Sequence, residues 1–277
     1  MSDLAIIGGG PAALSAAIYA ARAGLTVTVF EKQHFGGTLT EIAEIANYPG
    51  FTGPGANLAT LLRDQAKVAG ARLEYGTCTR VAESSASGLV ATIDGEEVQS
   101  RTVLVATGSE PNRLDLATDK PISYCAICDG PLYKGKKVLV IGGGNSAVGE
   151  ALYLSSIASK VTLINRSPLR ADLALQENLR AKPNVTIHEN AQPTPELLAA
   201  ADGIFVYIGK HPATDFMPPD TLNEEGYVQT DDNFMTTVPG LFAAGDVRVG
   251  TIKQAIVASA EGAAAALKIS AYLENNH

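Results

Sequence analysis

The sequence predicts an α/β chain built around two nucleotide-binding βαβ units. Three observations carry that expectation. A strand-like run at the N-terminus ends in a Gly-rich turn and enters an apolar helix, and the same pattern returns at Lys137. The composition also suits such an architecture. Of 277 residues, 46% are hydrophobic and 18% charged, enough for a sizeable core and two modest domains. Gly and Ala are abundant and Trp is absent, as expected of tight turns feeding closely packed helices.

The first unit opens with Leu4-Ala5-Ile6-Ile7 and turns through Gly8-Gly9-Gly10-Pro11-Ala12-Ala13. It continues as a helix to Ala23-Gly24 and returns as the strand 26–31. In this G-x-G-x-x-A pattern Gly8 permits the tight bend, Gly10 lets the backbone approach a pyrophosphate, and Ala13 lets the helix pack close to the sheet. The helix that starts at Pro11 then faces the anion with the free N–H groups that follow the proline, from Ala12 on, and with the positive end of its dipole. Glu31 ends the second strand, where a carboxylate can accept hydrogen bonds from a ribose.

Residues 72–105 alternate as strands, with turns at 84–88 and at Asp94-Gly95. Val103-Leu104-Val105-Ala106-Thr107-Gly108 reads as a buried strand ending in a turn. Pro111 and Pro121 flank a polar stretch that reads as a hinge. The second unit follows: strand 137–141, turn Gly142-Gly143-Gly144-Asn145-Ser146-Ala147, a helix over 148–156 and strand 160–164. No acid ends that strand, which runs into Asn165-Arg166-Ser167. A carboxylate there would repel a ribose 2′-phosphate, whereas guanidinium groups at Arg166 and Arg170 match its geometry. The plainer reading, two solvated surface charges, stands beside it. A second hinge is expected at Val238-Pro239-Gly240, followed by a strand ending in Gly245-Asp246, whose carboxylate can hold a cofactor hydroxyl. Residues 254–273 form an Ala-rich helix.

Cys125-Ala126-Ile127-Cys128-Asp129 is the chemical centre of the sequence. Two intervening residues let the sulfurs close a small disulfide ring at the start of a helical turn. N–H groups there lower a thiol pKa and favour the thiolate that performs exchange. Asp129 is placed to shuttle the proton that such chemistry gains or loses. Zinc competes for a C-x-x-C pair, but it needs four ligands, and neither Cys78 nor His34, His188, His211 and His277 show metal spacing. Two inert buried thiols are the remaining alternative; Cys78 itself reads as a core residue.

Charge and hydropathy narrow the partners. The net charge is -8 with no basic run, which argues against nucleic acid. The apolar stretches are short or interrupted, so no membrane span is expected, and Met1-Ser2-Asp3 leads directly into a strand without a signal-like segment. With three cysteines and no disulfide framework, a cytoplasmic location is expected.

Together these residues resemble the thioredoxin reductase family of two-domain flavoproteins. The similarity spans nearly the whole chain: the turn at Gly8, Asn47-Tyr48-Pro49-Gly50-Phe51, Ala106-Thr107-Gly108, Ser123-Tyr124-Cys125-Ala126-Ile127-Cys128-Asp129-Gly130, and residues 240–247. The resemblance implies two Rossmann-like three-layer nucleotide-binding domains, the second inserted in the first. An FAD domain of residues 1–111 and 239–277 would enclose a pyridine-nucleotide domain of residues 112–238 that carries the cysteines. It implies that Asp246 touches the FAD ribityl chain, that the backbone of Gln254 and Ala255 approaches the flavin ring, and that the chain is a homodimer. Electrons would pass from NADPH through FAD to Cys125–Cys128 and on to a thioredoxin-like protein or a small disulfide. Cys128 would be the flavin-proximal sulfur and Cys125 the interchange thiol.

Three departures from the family pattern bear on the donor. The family's His-Arg-Arg run is Asn165-Arg166-Ser167 here, with Arg170 downstream. There is little room for its strand meander before Gly203. Thr38 stands where the family often has Gln. These departures leave ferredoxin or another flavin as an alternative electron donor, and a dithiol oxidase that passes electrons to oxygen as an alternative direction.

Overall fold

A computed structural model describes residues 1–42, 45–84, 88–115 and 117–276. The chain folds into two Rossmann-like units, one formed by Met1–Glu110 with His211–His277 and the other, inserted between them, by Pro111–Lys210.

In the first unit, parallel strands lie in the order Arg72–Tyr75, Val27–Glu31, Ser2–Ile7, Glu96–Val105 and Leu241–Ala243. Leu4 to Ile7 and Val103 to Val105 are buried without alternation. Continuous apolar runs of this kind belong to strands covered on both faces. The long strand Glu96–Val105 also pairs, through its first half, with Leu89–Ile93, and that strand pairs with Cys78–Glu83, making an antiparallel meander on the same sheet. Asp94 and Gly95 both have positive φ, at 49° and 88°, as a tight hairpin turn requires. The other turn expected here, at 84–88, falls partly on residues 85–87, outside the described residues.

Helices Pro11–Arg22, Gly55–Val68 and Ala255–Asn275 cover the sheet. The last has 21 residues, close to the Ala-rich helix expected over 254–273, and an 18-residue stretch of it reaches a mean hydropathy of 1.3, enough by length and composition to cross a bilayer. Here that composition serves the core: Ala258, Gly262, Ala265, Ala266, Ile269 and Leu273 are buried. Gly262 lies so close to helix Pro11–Arg22 that an added Cβ would run into the Ala12 carbonyl.

The return to the first unit comes at 210/211, ahead of the hinge expected at Val238-Pro239-Gly240. The reason is packing. Met217 and Val228 are buried in one core with Val103, Leu241 and Val247, and Val228 bridges to Arg248. Residues 211–238 therefore belong to the first unit, and Gly240, at φ 80°, is a turn within it.

The inserted unit holds a five-stranded sheet, in the order Ile122–Ser123, Gly203–Val206, Lys137–Ile141, Lys160–Asn165 and Val185–Glu189, and every pairing in it is parallel. Helix Asn145–Ser155 starts three residues earlier than the pattern suggested, directly at the glycine turn.

The close approach at Gly262 gives a stability prediction. Gly262→Leu must push apart two helix backbones, which is expected to cost about 2 kcal/mol or more. Thermal unfolding followed by circular dichroism should show Tm lowered by roughly 4–8 °C. An unchanged Tm would contradict the packing described.

Candidate functional site

Both glycine turns lie at the carboxyl ends of parallel strands, where α/β sheets leave a crevice for ligands. In the first, Gly8 has φ 103° and abuts Ala106, so a side chain there would strike the neighbouring strand end. Glu31 is buried, 8% exposed, and its two carboxylate oxygens accept the N–H groups of Gly9 at 2.6 Å and Gln33 at 2.8 Å. The carboxylate therefore braces the turn, and its remaining lone pairs are what it can offer a ribose. The space where a Gly10 side chain would stand is open, and no side chain caps helix Pro11–Arg22. Its leading N–H groups are thus left for an anion. The chain provides the cradle a pyrophosphate requires.

Residues far apart in sequence converge near this turn. Asn47 Nδ2 donates to Gln254 Oε1 at 3.2 Å, and Tyr48 donates to Ser259 at 3.2 Å. Gln254 precedes helix Ala255–Asn275. Thr107 donates to the Ala213 carbonyl at 2.8 Å, with Ala106 buried behind it and Gly108 at φ 71°. Gly245, at φ 79°, packs on Ala12 and donates its N–H to Glu261, which fixes the segment bearing Asp246. Thr38 is exposed in the short helical turn Gly37–Glu41. One group was missed by the sequence reading. Lys253 Nζ donates to Ser109 Oγ at 3.2 Å and to the Tyr227 hydroxyl at 2.6 Å. Burial lowers its pKa, opposed by the charges of Asp246 and Glu225. Only its place beside Gln254 hinted at this.

In the second turn Gly142 has φ 142° and abuts the Tyr207 carbonyl, and the space at Gly144 is open. Asn165, 8% exposed, occupies the position that Glu31 takes in the first unit, against Gly143. Its amide donates to the carbonyls of Ser167 at 2.8 Å and Pro168 at 3.2 Å, and Arg170 N–H donates to Gly143 O at 2.7 Å. The loop carrying Arg166 and Arg170 is thereby closed back onto the turn. Both arginines are exposed, and neither guanidinium has a partner among the described residues. Asn145 and Ser146 begin the helix. The Asn145 side chain is engaged with Asp172, donating to its carboxylate at 3.2 Å and accepting its N–H at 2.8 Å.

Cys125 and Cys128 are joined in a disulfide with Cα atoms 5.3 Å apart. Both are half-buried in the inserted unit. Cys125 caps the short helix Ala126–Asp129, and its sulfur accepts the Cys128 N–H at 3.2 Å. Asp129 accepts from the Ser123 hydroxyl at 2.6 Å, and the same hydroxyl accepts the Cys125 N–H at 3.2 Å. Ser123 was readable two residues before the cysteine, where a hydroxyl commonly bonds local backbone. The Tyr207 hydroxyl, which accepts the Ala126 N–H at 2.6 Å, was not, because it lies 81 residues away. Burial pushes the Tyr207 phenol far up, helped by Glu150 and Asp129. Tyr133 is raised by burial and by Asp129. Among the described residues no cluster of His, Cys, Asp and Glu suits a metal ion.

Residues 2–262 match the pyridine nucleotide-disulphide oxidoreductase family. The chain is 37% identical to the thioredoxin reductase of Peptoclostridium acidaminophilum, over 99% of this chain and 98% of that protein. It is 35% identical to the thioredoxin reductase of Bacillus subtilis, over 98% and 95%. The crystal structure of thioredoxin reductase from Streptococcus pyogenes superimposes with a TM-score of 0.90 at 32% identity, covering 99% of both chains.

The third cysteine serves as a built-in control. Burial pushes the Cys78 thiol up to about 11. At pH 8 its thiolate fraction is about 0.1%, and alkylation proceeds through the thiolate. Native reduced protein treated briefly with iodoacetamide should therefore be labelled at Cys125 or Cys128 and not at Cys78. Peptide mapping that finds Cys78 labelled first would contradict this assignment.

Proposed function

The chain belongs to the pyridine nucleotide-disulphide oxidoreductase family, and we propose that within it the protein is a cytoplasmic, homodimeric thioredoxin-disulfide reductase that uses FAD and takes its electrons from NADPH. The observation that carries this reading is the Cys125–Cys128 disulfide, set at the start of a helical turn with an acid one residue beyond it.

The first unit supplies the FAD site. Gly8, Gly10, Pro11 and Ala12 receive the pyrophosphate and Glu31 the ribose. Asp246 takes the ribityl chain. Thr38, Asn47, Ala106, Thr107, Gly108, Gly245, Gln254 and Ala255 line the rest. The second turn, Gly142, Gly144, Asn145 and Ser146, receives the dinucleotide donor. The exposed guanidinium groups of Arg166 and Arg170 favour NADPH over ferredoxin, because they suit a 2′-phosphate and the strand end that could repel it is the neutral Asn165. When bound, FAD supplies a two-electron relay between the nicotinamide nucleotide and the disulfide.

Once the disulfide is reduced, the protein's own groups perform the exchange. The Cys125 thiolate, held by the Cys128 N–H, attacks one sulfur of the substrate disulfide. A mixed disulfide forms, and the other substrate sulfur leaves as a thiolate and takes a proton, which Asp129 is placed to relay. The Cys128 thiolate then attacks the Cys125 sulfur. The protein disulfide re-forms and the second substrate thiol is released. One substrate disulfide is reduced for each Cys125–Cys128 dithiol oxidised.

Two outcomes test the reading. Cys125→Ser and Cys128→Ser should each abolish reduction of thioredoxin in an NADPH-coupled assay while the proteins remain yellow with bound flavin; turnover persisting in both would refute it. Replacing Arg166 and Arg170 together by Ala should raise KM for NADPH by roughly tenfold or more and leave KM for NADH nearly unchanged, given the worth of charged hydrogen bonds to phosphate. Equal effects on both nucleotides would remove the arginines from phosphate recognition.

A further inference from the structure

We propose that Tyr207 is a positioning residue for the redox disulfide, anchored by its backbone at the second glycine turn and holding by its hydroxyl the first N–H of the cysteine helix. The inference rests on the disulfide chemistry proposed above.

Five observations carry it. Tyr207 follows strand Gly203–Val206, and its N–H donates to the Ile141 carbonyl at 2.7 Å, one residue before the turn. Its own carbonyl fills the place where a Gly142 side chain would stand, so only glycine admits this contact. Its hydroxyl accepts the Ala126 N–H at 2.6 Å. Ala126 is 0% exposed, so that N–H has no water to turn to if the hydroxyl is removed. The tyrosine ring packs against the core that holds Ala126, Val140, Ala147 and Phe205. The hydroxyl is thus a fixed point, placed by the end of a central parallel strand and the core beneath it, on which the cysteine turn is mounted.

The chemical consequence runs through the neighbouring donor. The Cys125 sulfur accepts the Cys128 N–H from the same turn. That bond depends on the turn keeping its geometry, and it favours the Cys125 thiolate once the disulfide is open. The hydroxyl remains a neutral acceptor across the working pH range, because burial and the charges of Glu150 and Asp129 oppose its ionisation. Among the described residues, the ionisable groups facing the turn include Asp129 on its own helix, Tyr133 just after it, Glu150 and Tyr153 on helix Asn145–Ser155, the latter with its ring against Gly130, and Tyr207 itself. Loss of the hydroxyl leaves the charges of the two acids in place and removes the mount. The Cys125 thiol pKa then rises, the reduced form is less favoured, and the couple becomes more reducing.

Tyr207→Phe tests this, since it removes one oxygen and keeps the ring. The Cys125–Cys128 couple of the holoprotein would be equilibrated in dithiothreitol redox buffers, and the rate of iodoacetamide labelling of Cys125 in reduced protein followed from pH 5 to 9. The expected result is a shift of the thiol–disulfide equilibrium constant by about fivefold towards the disulfide, with labelling at neutral pH slowed by a similar factor, as loss of one hydrogen bond implies. An equilibrium constant and labelling profile equal to those of wild type would overturn the proposal. If the variant does not fold, amide exchange in the wild-type protein decides. Protection of the Ala126 amide in both oxidised and reduced states supports the proposal, and exchange at the free-peptide rate overturns it. Failure of the wild-type couple to titrate reversibly would instead strike the proposed disulfide reductase function.

Discussion

Both glycine turns depend on one contact, the approach of the middle glycine to the side chain that ends the neighbouring strand. Gly9 lies against Glu31 and Gly143 against Asn165. The registers are equivalent, with Ile7 opposite Phe30 and Ile141 opposite Ile164 one step earlier. A Cβ at either glycine would collide with that side chain, so the turn cannot close without it. Once closed, it aims the helix that follows, with its unpaired N–H groups, at the carboxyl edge of the sheet.

The difference between the two side chains then separates the two sites. A carboxylate only accepts hydrogen bonds, and Glu31 therefore gathers the N–H groups of Gly9 and Gln33. An amide also donates, and Asn165 therefore holds the carbonyls of Ser167 and Pro168, bending the following loop back until Arg170 bonds Gly143. An amide in place of the acid removes a negative charge and shapes the loop that presents two arginines. The altered arginine run, which in sequence departs from the family pattern and leaves another donor open, is in the fold a locally satisfied loop with exposed cations.

The disulfide is positioned differently, by side-chain hydroxyls reaching backbone N–H groups. Ser123 holds the Cys125 N–H and Tyr207 the Ala126 N–H, and the Cys125 sulfur takes the Cys128 N–H itself. Each N–H at the start of that short helix would otherwise be without an intrahelical acceptor. Every donor so satisfied also fixes the turn from which the sulfurs react, so the same bonds serve stability and chemistry.

The sequence by itself determined the two βαβ units, the glycine turns, the redox pair and its neighbouring acid. All of these rest on short-range patterns, where apolar periodicity, permitted backbone angles and sulfur spacing act within a few residues. Tertiary structure alone decided the return crossing at 210/211, because the burial of Met217 and Val228 beside Val247 outweighs the local Pro-Gly signal at Pro239-Gly240. It likewise decided that Gln254 meets Asn47, that Lys253 sits between Ser109 and Tyr227, and that Tyr207 reaches Ala126. Those pairs are brought together by sheet order and helix packing across long stretches of chain, and no local pattern records which distant hydroxyl will satisfy a buried N–H.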